Sequence, residues 1–240
     1  MSAELDPPEF DRHAATYDGG LDNPVKKALG DADSFIAVKA RWLLRHEPGL
    51  KRDGLSLLDY GCGAGDLMRV LAGLGARGTF TGCDVSTGML DEAARRWPAG
   101  AGSAPVLSAQ DGAHTPFADG QFDVATISAV LHHVPVAERP AVYAELGRVL
   151  KPGGRLYVFE HNPRNPLVRH VIARTPIDAN AILLDANEVQ EGLLGSGRYE
   201  LETDYLMFMP PGMAFLRFVD RALAWLPLGA QYAVAARKPA

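Results

Sequence analysis

Residues 57–65 read Leu-Leu-Asp-Tyr-Gly-Cys-Gly-Ala-Gly, and this stretch decides the fold. An apolar run ends in an acid, Asp59, and passes through three closely spaced glycines into a helical pattern that begins at Asp66. Glycine is needed where the backbone takes a positive φ or lies against a ligand with no Cβ between them. The stretch therefore predicts a strand, a tight turn and a helix, with a cofactor lying over the turn.

The spacing of the glycines favours one class of cofactor over another. Gly61, Gly63 and Gly65 form G-x-G-x-G, whereas the dinucleotide fingerprint G-x-G-x-x-G requires a glycine at position 66. Asp66 stands there, and an acid at the N-terminus of a helix would repel a pyrophosphate. A nicotinamide dinucleotide is therefore the second choice.

Short apolar runs alternate with helical stretches along most of the chain. This alternation predicts a parallel sheet covered by helices on both faces. The predicted strands cover residues 55–60, 79–84, 106–110, 122–128, 155–160, 199–208 and 231–236, and the predicted helices cover 34–46, 66–74, 87–96, 136–150, 185–195 and 214–226. The helix between the last two strands is an addition to a plain doubly wound sheet.

The pattern predicts a single domain over all 240 residues. Residues 1–52 are expected to form a helical lid, and residues 53–160 the cofactor-binding core. Prolines break the pattern in residues 161–184, which are expected to form an irregular insert that caps the substrate. Residues 185–240 supply the C-terminal helices and hairpin strands. Asp185 and Glu188 have the spacing of a capping box.

Composition excludes several classes of protein. With 24 Lys and Arg against 29 Asp and Glu, the net charge of −5 offers no general attraction to nucleic acid or an anionic bilayer. The N-terminus lacks the features of a signal peptide, and no apolar run approaches the ~20 residues of a spanning helix. We therefore expect a cytoplasmic protein with no nucleic-acid partner and no membrane span. Cys62 and Cys83 are expected to be buried, reduced thiols.

Two further acids follow predicted strands. Asp84 ends the second strand, where a carboxylate can accept two hydrogen bonds from a ribose diol. Asp111 follows the third strand in a Gln-Asp-Gly turn, where it could accept from the exocyclic amine of an adenine. Each alone could be a surface turn, but their order and spacing after the glycine turn favour a nucleoside site.

At this point the sequence resembles the class I S-adenosylmethionine-dependent methyltransferases. Residues 58–65 look like the first motif of that family, Asp84 like its ribose-binding acid, and Asp111 with residues 115–117 like its adenine-side segment. Residues 122–128 match the fourth strand, and residues 149–156 are similar to the turn before the fifth. The resemblance implies a Rossmann-like α/β fold with a doubly wound, seven-stranded sheet whose last strand is antiparallel.

A narrower resemblance is to small-molecule members of the ubiquinone-biosynthesis-like type. Residues 10–18 look like their N-terminal segment, in which the Tyr17 position approaches the methionine end of the cofactor, and residues 160–167 are similar to a subgroup with mostly unassigned substrates. The implied activity is in-line methyl transfer to O, N or C of a natural product or a lipid-like or quinone-like metabolite. The implied contacts to S-adenosyl-L-methionine are Tyr17, Asp59, Gly61, Cys62, Gly63, Gly65, Asp84, Val85, Met89, Asp111, Gly112 and Ser128.

An oxygen or carbon acceptor also needs a base, and ligands bind at the carboxyl ends of strands in such sheets. His132 and His133 follow the fourth strand, and Glu160 and His161 end the fifth. His161 is the first choice because Glu160 could orient its ring, and His133 is the second; Tyr17 could contact the polarised methyl group. Since adjacent histidines cannot readily share one ion, no metal is expected.

Several readings stay open from the sequence alone. Arg164, Arg169, His170 and Arg174 could clamp an anionic substrate or form a solvated helix face. The apolar residues between 215 and 226 favour core or homodimer packing over a lipophilic substrate wall. The alternative functions are a cyclase or rearrangement enzyme that uses the bound cofactor without methyl transfer, and a non-catalytic cofactor-binding module.

Overall fold

A computed structural model describes residues 32–52, 54–100, 102–175, 178, 180–210 and 213–240. The segment around Tyr17, to which the sequence analysis gave a place beside the cofactor, lies outside these residues.

Seven strands form one sheet in the order β3-β2-β1-β4-β5-β7-β6. Neighbouring strands from β3 to β5 are parallel, and within the described chain only β7 runs against its neighbours. This confirms the predicted doubly wound sheet with an antiparallel last strand. The strands are β1 Ser56–Tyr60, β2 Thr79–Asp84, β3 Val106–Ala109, β4 Phe122–Ser128, β5 Leu150–His161, β6 Glu200–Leu206 and β7 Gln231–Arg237.

Helices cover both faces of the sheet, as the alternating pattern predicts. They are α1 Ala32–His46, α2 Gly49–Arg52, α3 Asp66–Gly73, α4 Thr87–Arg96, α5 Arg139–Val149, α6 Pro166–Ile172, α7 Ala186–Ser196 and α8 Arg217–Ala222, with 3-10 turns at Leu131–His133 and Ala214–Leu216. The capping box of Asp185 and Glu188 is present at the start of α7. No helix of the described residues is both long and apolar enough to cross a membrane.

Several element boundaries differ from the sequence prediction, for example the helix predicted over residues 136–150, which begins at Arg139. β5 begins at Leu150 and not at residue 155, because Leu150 already pairs with Phe122 ahead of a register shift. α7 continues through Gly195 to Ser196 and ends at Gly197. The apolar helix expected over residues 214–226 is divided into a 3-10 turn and the short α8.

The apolar side chains of this C-terminal segment correct another expectation. Phe215, Phe218 and Trp225 are 77%, 67% and 74% exposed, so core packing, one of the two predicted alternatives, is wrong for these three side chains, and homodimer packing stays a prediction. The core lies elsewhere, in two clusters on opposite faces of the sheet. One cluster includes side chains of α5 and α7 and the other includes side chains of α1 and α3.

Candidate cofactor and acceptor site

A cavity of about 460 Å³ is built largely at the carboxyl ends of β1, β2, β4 and β5. Phe35 and Ile36 of α1 contribute to one wall, and Val168 and Val171 of α6 contribute to another. Parts of the expected lid and of the expected insert therefore line the cavity. Most of the predicted site residues lie in its wall, namely Asp59, Gly61, Cys62, Gly63, Asp84, Val85, Met89, Gly112, Ser128, His132, His133 and His161.

The glycine turn after β1 has the backbone geometry that the sequence predicts. Gly61, Gly63 and Gly65 have φ angles of 66°, 51° and 73°. A Cβ at Gly61 would lie 2.5 Å from Val130 Cγ2, whereas a Cβ at Gly63 would meet no atom of the described residues within 4 Å. Gly61 therefore serves close packing, and Gly63 leaves open space in the cavity wall. Gly65 does not line the cavity, because a Cβ there would lie 3.1 Å from Ala93 Cβ.

The carboxylate of Asp84 is tied to this turn. Its Oδ2 accepts the N–H of Gly63 at 2.8 Å, and its Oδ1 accepts the N–H of Ser86 at 2.9 Å. A carboxylate can accept about four hydrogen bonds, so the same oxygens can also receive a ligand hydroxyl. The side chain of Asp84 thus fits the predicted ribose contact.

The third strand presents a different residue to the cavity from the one expected. Asp111 is exposed and does not line the cavity, because its Oδ1 accepts the N–H groups of Ala113 and His114 at 3.2 and 2.8 Å. Gln110 lines the cavity instead, and its buried Oε1 has no hydrogen-bond partner among the residues that the structure describes. The orphaned Oε1 atom offers an acceptor at this position of the cavity wall, and sequence reasoning missed it.

Two buried charged groups lie at the other end of the glycine turn. Lys39 Nζ donates to Ser128 Oγ at 2.9 Å, and Thr126 Oγ1 donates to Asp59 Oδ1 at 2.8 Å. Burial raises the pKa of Asp59 to about 7, against the lowering effects of Thr126 and Lys39. Lys39 is only 3% exposed, and the sequence analysis missed it. The available signal was a lysine three to four positions from Phe35, Ile36 and Leu43, on an apolar helix face.

A buried histidine lies beside the end of β5. His132 Nδ1 is 2.6 Å from Glu160 Oε2, and Glu160 Oε1 accepts the N–H groups of Val130 and Leu131 at 3.0 and 2.7 Å. Burial alone would lower the pKa of His132, but the charges of Glu160 and Asp178 outweigh it and raise that pKa. Burial also disfavours the charged form of Glu160 and alone would raise its pKa, but the charge of His132 holds that pKa below its ordinary value.

This geometry corrects the role expected for Glu160. Its carboxylate orients His132 and not His161, although it was predicted to orient the latter. The His161 ring lies 5.3 Å from the His132 ring, and its Nδ1 is 3.5 Å from Gln231 Nε2. Glu160 is fully buried and lies behind His132, so it does not itself line the cavity.

Asp178, in the insert after α6, completes the cluster. Its Oδ1 is 3.6 Å from Nε2 of His132 and 3.6 Å from Nε2 of His133. The adjacent histidines thus point their Nε2 atoms at one carboxylate oxygen, an arrangement that the sequence analysis did not expect. The insert is brought here partly by a hydrogen bond of 2.7 Å from Ile182 N to His132 O, a tertiary contact with no sequence signal.

The basic residues of the insert lie on its solvated surface, which is one of the two alternatives that the sequence left open. Arg164 Nη2 pairs with Asp185 Oδ2 at 2.8 Å, and Arg174 bonds the exposed His170 on its own helix end. Neither these residues nor Arg169 line the cavity, whereas the opposite, apolar face of α6 does.

Comparisons with known proteins find similarity to methyltransferases. Residues 57–154 match the model of a methyltransferase domain. The chain is 37% identical over 164 residues to a 2-phytyl-1,4-naphtoquinone methyltransferase of Synechococcus elongatus, covering 67% of this chain and 65% of that protein. It is 42% identical over 166 residues to a demethylmenaquinone methyltransferase of Parafrankia sp., covering 63% and 60%. The chain thus matches slightly less than two thirds of the length of these relatives.

Solved structures share the fold at low identity. One is an S-adenosylmethionine-dependent methyltransferase of Thermotoga maritima, described as a possible histamine N-methyltransferase, with a TM-score of 0.67 at 16% identity over 95% of this chain and 98% of that one. Another is the magnesium protoporphyrin IX methyltransferase of Synechocystis with bound S-adenosylhomocysteine, with a TM-score of 0.61 at 20% identity over 86% and 83%. At these identities the likeness concerns the fold alone.

Proposed function

This chain carries a class I S-adenosylmethionine-dependent methyltransferase domain, and we propose that it transfers a methyl group from that cofactor to a small, lipophilic acceptor. The observation that carries the proposal is the open space over Gly63, next to the carboxylate of Asp84 at the end of β2. Backbone without a Cβ beside a buried carboxylate suits a ribose held against the turn.

The residues of the cavity fit the whole length of the cofactor. Asp84 would accept from the ribose hydroxyls, and the orphaned Oε1 of Gln110 would accept from the adenine amine. At the other end, the carboxyl of Asp59 would receive the ammonium group of the methionine part, and Lys39 would face its carboxylate. The ribose hydroxyls, the adenine amine and the two charged groups of the methionine part would then each meet a group of opposite character.

When bound, S-adenosylmethionine supplies a methyl group that is electrophilic because it is attached to a positively charged sulfur. The task left to the chain is to hold the acceptor in line with that methyl group, and positioning of this kind can lower a barrier by roughly 7 to 11 kcal/mol. Side chains of α1 and α6 form part of the cavity wall, and by limiting the access of water they would strengthen the polar contacts inside it.

The acceptor side of the cavity combines an apolar wall with a polar corner. The wall is formed by Leu167, Val168, Val171 and Ile172 of α6, and the corner by His133 and His161. An aromatic ring with one or more oxygens fits both surfaces. Two relatives are named for methyl transfer to naphthoquinones, which supports a quinone-like acceptor for this chain.

The test is transfer of a labelled methyl group, followed by mass spectrometry. We expect label to appear on reduced 2-polyprenyl-1,4-naphthoquinones and related phenols, and not on a hydrophilic amine such as histamine. Asp84→Ala is the control, because the loss of charge-assisted bonds worth roughly 1.5 to 3 kcal/mol each should lower cofactor affinity at least tenfold. If the wild-type protein binds the cofactor but label stays on it with every acceptor, methyl transfer to this class is wrong.

A further inference from the structure

We propose that His132, His133 and Asp178 form a binding site for a divalent transition-metal cation on the acceptor side of the cavity. Nε2 of each histidine lies 3.6 Å from the same carboxylate oxygen, Asp178 Oδ1. One ligand atom from each of the three residues lies within 4.8 Å of the other two. All three residues line the cavity.

The separations are those of ligand atoms around one ion. Ligands at about 2.1 Å from a tetrahedral ion are about 3.4 Å apart. The two contacts of 3.6 Å to Asp178 are close to this spacing, and the two histidine ligand atoms, which lie within 4.8 Å of each other, would move together on binding. His132 and Asp178 are 1% and 6% exposed, and the His133 side chain is 17% exposed. The site is therefore held inside the protein and opens towards the cavity on the side of His133.

Glu160 supplies the outer contact that a ligating histidine requires. Metal-bound histidines almost always donate the other ring N–H to a carboxylate or a carbonyl, which fixes the tautomer and the direction of the ring. Glu160 Oε2 lies 2.6 Å from His132 Nδ1, and its second oxygen is held by two backbone N–H groups. This arrangement fixes the ring of His132 with Nε2 on the side of Asp178.

The ligand types select the class of ion. Two imidazoles and one carboxylate suit Zn²⁺, Fe²⁺ or Co²⁺, whereas Mg²⁺ and Ca²⁺ prefer oxygen ligands throughout. Three protein ligands leave at least one coordination position for water or substrate. Without an ion, an imidazolium of His132 held between Glu160 and Asp178 would account for the positions of His132 and Asp178. The experiment must distinguish this ion pair from a cation site.

A cation at this position would define the acceptor more closely, an inference that rests on the proposed function. A metal-bound hydroxyl loses its proton to water far more readily than a free one, because the ion stabilises the oxyanion. The acceptor would therefore be a phenol or enol whose oxygen binds the ion, with its ring against the apolar wall of α6. Neighbouring oxygens on one ring, as in a catechol or hydroxyquinone, would chelate the ion.

The experiment is a titration of metal-stripped full-length protein with Co²⁺, followed by its visible absorption, and with Zn²⁺ by calorimetry. We expect one ion per chain and an intense four- or five-coordinate Co²⁺ spectrum. Asp178→Asn and His133→Gln should each weaken binding at least tenfold. The matched control is Asp204→Asn, since Asp204 lies at the same 3.6 Å from Nε2 of His46 but forms no cluster with a second histidine among the described residues. This variant should bind Co²⁺ like the wild type.

Absence of one-to-one Co²⁺ binding by the wild-type protein overturns the proposal, and so does binding that neither of the two site variants weakens. Each variant is checked for folding by its thermal transition. If a variant fails to fold, the Co²⁺ spectrum of the wild-type protein still tests the proposal. Binding of S-adenosylhomocysteine is measured in the same samples. A chain that binds the ion and the cofactor but methylates no acceptor contradicts the proposed function and leaves the cation site standing.

Discussion

The Nδ1 atom of His132 lies 2.6 Å from Oε2 of Glu160, and the two side chains are 1% and 0% exposed. Glu160 comes from the end of β5, whereas His132 belongs to the turn after β4. The second carboxylate oxygen accepts the N–H groups of Val130 and Leu131, which lead into that turn. One side chain thus fixes both the backbone of the turn and the ring it presents to the cavity.

Glu160→Gln should destabilise the fold by about 3 to 5 kcal/mol, because it removes the closer of the two carboxylates beside the buried His132 and leaves it only Asp178, at 3.6 Å. The free energy of unfolding from urea denaturation measures this. The control is Glu92→Gln, which breaks the Glu92–Arg95 pair on the surface, where Arg95 is 72% exposed. Equal losses in the free energy of unfolding for the two substitutions would show that the buried pair stabilises the fold no more than the surface pair does.

Gly63→Ala should weaken cofactor binding much more than it weakens the fold. Its φ of 51° costs an alanine roughly 1 to 2 kcal/mol, but a Cβ there meets no atom of the described residues within 4 Å and would occupy the open space over the turn. We expect at least a tenfold loss of affinity for S-adenosylhomocysteine by calorimetry, in protein with a cooperative thermal transition.

Gly61→Ala gives the contrast within the same turn. A Cβ at Gly61 would lie 2.5 Å from the branched side chain of Val130, so this change should lower the melting temperature more than Gly63→Ala does. If the variant that loses more cofactor affinity is also the one that loses more stability, the two glycines do not have separate roles.

The adenine side offers a test between neighbouring residues. Gln110→Ala should lower affinity for S-adenosylhomocysteine about three- to tenfold, since it removes an acceptor worth about 1 kcal/mol. Asp111→Ala should change affinity less than twofold, because its carboxylate accepts from the backbone of its own turn and lies outside the cavity wall. Calorimetry with both variants decides which residue faces the cofactor, and the opposite ranking would restore the assignment made from the sequence.

Most of the proposed cofactor site could be predicted from the sequence because its residues lie in short segments at the ends of strands. The turn at residues 61–65 and the acid at Asp84 follow directly from strand ends and glycine chemistry, and the structure puts both where predicted. The acceptor side was harder, because Lys39, Asp178 and the pairing of Glu160 with His132 depend on how distant segments pack. One sequence signal could have corrected the predicted pairing of Glu160 with His161. Side chains alternate along a strand, so these two neighbours in β5 point to opposite faces of the sheet.

The last prediction concerns the pH dependence of cofactor binding. Burial raises the pKa of Asp59 from 3.8 to about 7, so in the folded protein this carboxyl is protonated below that pH and ionised above it. In the unfolded chain it ionises near 3.8, and stability therefore falls as the pH rises from that value to about 7. An ammonium group bound beside Asp59 prefers the ionised form.

Affinity for S-adenosylhomocysteine should consequently rise up to tenfold per pH unit between pH 5 and 7, with release of a proton on binding. It should level off above pH 7, where Asp59 is ionised and the α-ammonium group of the ligand is still protonated. Calorimetry in two buffers of different ionisation enthalpy measures both the affinity and the proton release. Asp59→Asn should bind more weakly and lose the rise below pH 7, whereas Asp84→Asn should bind more weakly and keep it. If Asp59→Asn retains the rise, another group receives the ammonium.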